Sequence, residues 1–324
     1  MYDPSREYTT SVLIVGVTGA IGRAVARDLI VNGYRVYGLI RDAESRDRLP
    51  YGVVGVVGDV RAPQTWETAI ERTQVVVNCS FPRDLSTGAL TYEDAEREAD
   101  DLAAILDRLC DLVRRRKRRL VHTFGALLYE PDANGWVRET SAIASGRGYG
   151  VRHRRTYPVF EKHRKKGLRA MSVNPAFVYG RGGWFEHGLV EPLTRGQAVL
   201  IGDGHQTMHY VAASDAASGY RLAIEHGLDG EDYLLGDDRP STLGEFTRLV
   251  ARELGVPEPR SVPEEELVGQ LGPWNVDAYT FCPKVDSTKA RERLGWTPRY
   301  STIEEGVPAA IREYKRAQLQ AAAG

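Results

Sequence analysis

Gly16, Gly19 and Gly22, each followed by two other residues, are the part of this chain whose type and spacing speak first of chemistry. Glycine lets a backbone turn sharply out of a strand, come close to a pyrophosphate and seat the next helix tightly on a sheet. The amides that open that helix then face the anion. Gly16, Thr18, Gly19, Ala20, Ile21 and Gly22, with Arg23 directly after them, are therefore candidate cofactor ligands. An ordinary glycine-rich loop is the competing reading. Against it stands the order of the neighbours: the apolar run Val12 to Val15, the turn, a helical stretch Arg23 to Asn32 and a second strand Tyr34 to Ile40 compose a βαβ unit.

The end of that second strand selects the cofactor. An NAD site places a carboxylate there for the ribose hydroxyls, whereas an arginine pairs with the 2′-phosphate of NADP. Ile40 stands where the acid is expected and Arg41 follows, with Arg23 placed to help close a basic pocket. The reading is NADP, with NAD kept open because Asp42 is adjacent. A further set lies downstream: Tyr149, His153, Tyr157 and Glu161 recur every fourth residue and share one helix face. Pro158 should kink that helix or mark its restart. Tyr157 and Glu161 are read as facing a neighbouring helix or solvent, because the helix carries later residues away from a site at its start.

The elements that position these groups alternate. Val53 to Val57, Val75 to Ser80, Leu120 to Phe124 and Met171 to Asn174 read as further strands. Glu93 to Arg116 reads as one long helix with an apolar stripe through Leu102, Ile105, Leu106, Leu109, Leu112 and Val113. At 324 residues and 42% apolar content the chain can bury a full core, in one large or two closely joined domains. No run approaches the roughly 20 apolar residues of a membrane span, and Met1 to Thr10 is polar, so no membrane association is expected and the chain is read as cytoplasmic. Cys79, Cys110 and Cys282 lie far apart without ligand spacing, so free thiols and no metal are expected. A net charge of −1 gives no attraction to nucleic acid, and the basic run Arg114 to Arg119 reads as a solvated helix end.

The GxxGxxG spacing with Thr18 before its second glycine resembles the short-chain dehydrogenase/reductase superfamily, specifically the extended and atypical branches that include nucleotide-sugar epimerases and dehydratases. The resemblance implies an α/β fold: a Rossmann-type doubly wound parallel sheet with a smaller C-terminal substrate domain. Residues 1–174 and 206–227 are expected to form the dinucleotide-binding domain, and 175–205 and 228–324 the substrate domain. It further implies that Asp59, followed by Val60, contacts the adenine, and that Asn78, Cys79 and Ser80 run beneath the cofactor. The family's catalytic Ser or Thr position is Gly125 here, with Thr123 nearby, and strand alternation places Thr123 and Gly125 on one face. Tyr149 matches the tyrosine of the family's YxxxK and His153 replaces its lysine. That makes Tyr149, His153 and Thr123 the candidate catalytic residues. A histidine can donate to a ribose hydroxyl or relay a proton, but it is neutral near pH 7.

Asn174 to Gly180 is similar to the family's RPxxVYG segment, in which Pro175, Phe177 and Val178 are expected to hold the nicotinamide amide. Trp184 and Phe185 open a region of Gly, aromatic and His residues that suits a roof over the substrate, although a small satellite core would also account for them. Gly125, Trp184, Phe185, His187, Met208 and His209 are the candidate substrate contacts. Many nucleotide-sugar enzymes carry arginine at the position of Met208, and a thioether binds no phosphate, which argues against a UDP-sugar. Lys284 to Arg291 and Leu294 to Pro298 resemble the family's C-terminal signature, and Ile303 to Gln320 is expected to be the last helix. The resemblance implies an oxidoreductase or epimerase on a small carbonyl or hydroxyl substrate, with a homodimer possible. A non-redox lyase, isomerase or cyclase, or a non-catalytic dinucleotide-binding module, is the alternative.

Overall fold

Runs of valine, isoleucine and leucine without polar alternation mark strands buried on both faces. In the computed structural model, which describes residues 10–80, 91–144, 146–281 and 283–323, seven segments form one sheet. They are β1 (Ser11–Val15), β2 (Arg35–Ile40), β3 (Val54–Val57), β4 (Val75–Asn78), β5 (Arg119–Thr123), β6 (Arg169–Pro175) and β7 (Asp232–Leu235). The order is β3-β2-β1-β4-β5-β6-β7 and every pairing is parallel. Val15 lies opposite Leu39 on one side and Asn78 on the other, so the chain reverses its direction of travel across the sheet at β1. At such a switch point a crevice opens beyond the carboxyl ends of the strands. Cys282 and residues 1–9, on which parts of the cysteine and N-terminal expectations rest, lie outside the described residues.

Helices α1 (Ala20–Val31) and α4 (Ala213–His226) cover one face. Helices α2 (Tyr92–Arg115) and α3 (Gly150–Lys165) cover the other. A reciprocal capping box starts α2: Asp94 N–H donates to Thr91 Oγ1 at 3.1 Å, and the Asp94 carboxylate accepts from Thr91 N–H at 3.1 Å. Pro158 lies inside one continuous α3, so no restart occurs. The proline is exposed, and so is Arg154, whose carbonyl loses its helical donor to the ring. Ion pairs tie α2 to α3 within the chain, Arg155 to Asp100 at 2.8 Å and Lys162 to Asp107 at 3.0 Å. The run Arg114 to Arg119 is likewise internally paired, with Arg116 on Glu67 at 2.7 Å and Arg119 on Asp229 at 2.7 Å.

A second apolar cluster gathers Tyr179, Phe185, Met208, Tyr210 and Phe246 with helices α5 (Leu243–Leu254) and α7 (Ile303–Ala323). The expected boundary at residue 228 needs correction. Asp232–Leu235 is the edge strand of the main sheet, and helix α6 (Thr288–Leu294) sends Ala290 and Leu294, followed by Trp296, into the main core. The reason is burial: Tyr233, Leu234 and Leu235 are apolar on both faces and need a neighbour on each. No helix among the described residues is long and apolar enough to cross a membrane.

Candidate functional site

The glycine turn is shaped by contacts that admit no side chain. Gly16 has φ +89°, and a Cβ on it would lie 2.7 Å from the Ser80 nitrogen and 2.8 Å from the Cys79 carbonyl carbon. The ends of β1 and β4 therefore touch backbone to backbone. A Cβ on Gly22 would lie 2.2 Å from the Gly16 oxygen, which holds α1 hard against the turn. The Gly19 N-cap supplies no side-chain acceptor and the first turn carries no acid, so the opening amides of α1, at Ala20 and Ile21, suit an anion. Thr18 lends its carbonyl to Arg23 at 3.4 Å.

At the end of β2, Ile40 is buried and Arg41 exposed. The Asp42 carboxylate accepts from Ser45 N–H at 2.8 Å and Ser45 Oγ at 2.6 Å. Those bonds hold its pKa below the ordinary carboxylate value and commit it to the local turn. Arg23 does not join Arg41. Its charged neighbours are Arg181, Arg27, Glu186 and Glu313, on the α4 side of α1. After β3, the Asp59 carbonyl accepts the Trp66 indole N–H at 2.8 Å and its carboxylate accepts Arg61 N–H at 2.8 Å, while Val60 packs on the main core.

The β4 turn is pinned from beneath. Asn78 Oδ1 accepts Ser80 N–H at 3.1 Å and Ser80 Oγ at 2.6 Å, and Asn78 Nδ2 lies 3.1 Å from Nδ1 of His122. Burial, and then the nearby His153 and Arg164, push the His122 pKa down to about 3, so the ring is neutral and accepts from the amide. Cys79 is an inert thiol, pushed up to about 12 by burial. Thr123 needs correction as a catalytic candidate. Its hydroxyl lies 2.6 Å from the hydroxyl of Tyr220 on α4, whereas His122 and Phe124 meet the α3 side, with ring centroids 5.3 and 5.4 Å from Phe160. Strand alternation explains it, because odd and even residues of β5 face opposite helix layers. Gly125, beyond the strand end, leaves that alternation.

Gly125, His153 and Pro175 converge. A Cβ on Gly125 would lie 3.3 Å from Nε2 of His153 and 3.8 Å from the Pro175 oxygen. His153 is buried, and burial with the neighbouring Arg152 charge pushes its pKa down to about 3. It is a neutral ring with one donor and one acceptor. Tyr149 stands one turn earlier as the N-cap of α3. Its ring meets Trp274 edge-on at 5.3 Å, and the Arg152 guanidinium lies 5.1 Å from its centroid.

Several expected substrate contacts are instead spent on the second core. Phe185 is 2% exposed and packs 6.0 Å from Phe246; Trp184 donates its indole N–H to the Val178 carbonyl at 2.5 Å and meets Phe177 at 4.2 Å. The satellite core is thus the better account of these aromatics. Met208 is wholly buried in the same cluster. His209 is buried and accepts Val285 N–H on Nδ1 at 2.8 Å; burial, then Lys284 and Arg291, push its pKa down to about 4. His187 is a surface group, with Nδ1 2.9 Å from Glu191. Along α3, Tyr157 donates to Asp232 at 3.1 Å and Glu161 pairs with Arg164 at 2.7 Å, so both serve the sheet edge rather than open solvent.

Sequence reasoning missed His122 and Arg181. An imidazole inside the apolar run Leu120-Val121-His122 was itself a signal, since a buried polar ring needs a partner. Arg181 offered only the glycines after it.

A family model described as "NAD dependent epimerase/dehydratase family" matches residues 12–236. A 3-diazoavenalumate denitrifying reductase of a Streptomyces species is 24% identical, over 91% of this chain and 98% of that protein. The UDP-glucose 4-epimerase of Thermotoga maritima, solved with UDP-glucose, superposes with a TM-score of 0.77 at 22% identity, covering 95% of this chain and 99% of that one. A dTDP-glucose 4,6-dehydratase from Bacillus anthracis, solved in complex with NAD, gives 0.76 at 17% identity, covering 95% and 97%.

Proposed function

The chain belongs to the NAD-dependent epimerase/dehydratase family of extended short-chain dehydrogenases/reductases, and from that premise we propose that it is an NADP-linked oxidoreductase. Its substrate is a small carbonyl or hydroxyl compound outside the sugar-nucleotide class, and Tyr149 is its acid/base group. The observation that carries the reading is the contact of Gly16 with the Cys79–Ser80 turn, which leaves only backbone where a dinucleotide's pyrophosphate lies at a Rossmann switch point. The exposed Arg41, beside an Asp42 already bonded to Ser45, supports NADP over NAD. A buried Met208 supports a substrate without a diphosphate, and the similar reductase supports reductive chemistry.

The bound nicotinamide would supply or accept the hydride. The chain's own residues do the rest. The Tyr149 hydroxyl gives a proton to the carbonyl oxygen being reduced, or takes one from the alcohol being oxidised. His153, neutral and turned toward Gly125 and Pro175, orients the nicotinamide ribose by hydrogen bonding without adding charge. With glycine at position 125, no side-chain hydroxyl there shares the substrate oxygen. Tyr149→Phe is the test: turnover should fall at least about 100-fold while calorimetry shows NADPH affinity unchanged. Undiminished turnover would remove Tyr149 from the chemistry. Turnover without a nicotinamide absorbance change would favour the non-redox alternative.

A further inference from the structure

Arg23 and Arg181 line one cleft beside the starts of two helices. A cleft of about 250 Å³ runs between α1, α4 and α7, and Ala20, Arg23, Arg27, Arg181, Ser214 and Glu313 line it. Neither helix that starts beside the cleft is capped by a side chain, at Gly19 for α1 or at Ala212 for α4, so the positive dipole end of each lies near its rim. The loop bearing Arg181 is pressed onto the start of α1. Gly182 and Gly183 have φ +88° and +60°, and a Cβ on Gly183 would lie 3.1 Å from the Ala20 Cβ.

The surrounding carboxylates are already engaged. Glu313 pairs with Arg27 at 2.6 Å, Asp28 with Arg221 at 2.9 Å, and Glu186 accepts Gly182 N–H at 2.6 Å. Asp215, in the first turn of α4, accepts Tyr300 N–H at 3.0 Å. Among the described residues neither Arg23 nor Arg181 forms an ion pair. Burial first, and then the nearby Arg181 and Arg27 charges, hold the Arg23 guanidinium below its ordinary pKa.

We propose that Arg23 and Arg181, with the Ser214 hydroxyl at the rim, form a subsite for a phosphate-type anion. Planar guanidinium groups bind phosphate oxygens through paired hydrogen bonds, and a dianion relieves the repulsion that the cleft otherwise bears. The anion is either the pyrophosphate of a dinucleotide on the adjoining glycine turn or a separate phosphate group. The subsite does not depend on the dinucleotide reading.

The test compares the wild type, Arg181→Gln and Arg181→Lys in calorimetry and thermal melting with inorganic phosphate, NADPH and NADH as separate probes. In either case phosphate should stabilise the wild type and Arg181→Lys more than Arg181→Gln. If the source is the dinucleotide, Arg181→Gln also weakens NADPH and NADH alike by about tenfold. If it is a separate phosphate, the dinucleotide affinities stay unchanged. A wild type that binds no dinucleotide, with a phosphate response lost in Arg181→Gln, sinks the proposed function and leaves the subsite standing. Equal responses of wild type and Arg181→Gln to all three probes, with both proteins melting cooperatively, would overturn it.

Discussion

A β-carbon on Gly125 would stand 3.3 Å from Nε2 of His153. The resemblance implies a hydroxyl and an ammonium at these two positions; here a bare backbone faces a neutral ring. Gly125 has φ +145°, a region that L side chains rarely adopt.

A serine placed at this position should therefore fail. Gly125→Ser is expected to lose about 1–3 kcal/mol of stability in urea denaturation and to gain no turnover. A stable, faster variant would show that the glycine is incidental.

Arg41 should discriminate between cofactors. With Asp42 committed to Ser45, Arg41→Gln is expected to weaken NADPH by about tenfold or more and to leave NADH within about twofold. Equal losses for both cofactors would place the 2′-phosphate elsewhere.

Asp232 anchors the sheet edge to α3. It accepts from Arg164 at 2.7 Å, Ser172 at 2.8 Å and the half-buried Tyr157 at 3.1 Å. Asp232→Asn leaves the guanidinium with less compensation and should cost about 3 kcal/mol. The double variant with Arg164→Met should recover part of that loss. Additive losses in the two single variants would deny the coupling.

Acid should destabilise the protein through its buried imidazoles. His122 and His153 titrate near 3 and His209 near 4 in the fold, against about 6.5 in an unfolded chain. Their contribution is complete above pH 6.5 and is lost as pH falls toward 3, at up to about 1.4 kcal/mol per pH unit for each. Asp237, pushed up to about 8 mainly by burial, acts in the opposite sense, so the variant comparison is the clean measure. His209→Gln should flatten the slope of stability against pH between 6 and 4.5 by about one proton. An unchanged slope would show that His209 is charged in the fold.

The strand, glycine turn, helix and second strand were legible because each is a local demand: Gly16 at positive φ, Gly22 against the Gly16 carbonyl, and valine runs that must be covered on both faces. Tertiary structure alone decided which side of β5 Thr123 faces, that Phe185 and Met208 fill a second core, and that Arg23 lines a cleft with Arg181 rather than Arg41. It also made Asp232 the partner of Tyr157, 75 residues away. Backbone conformation is written in a few neighbouring residues. The partner of a side chain is chosen when distant segments compete to bury apolar area and to satisfy polar atoms, and spacing in the sequence carries no record of that competition.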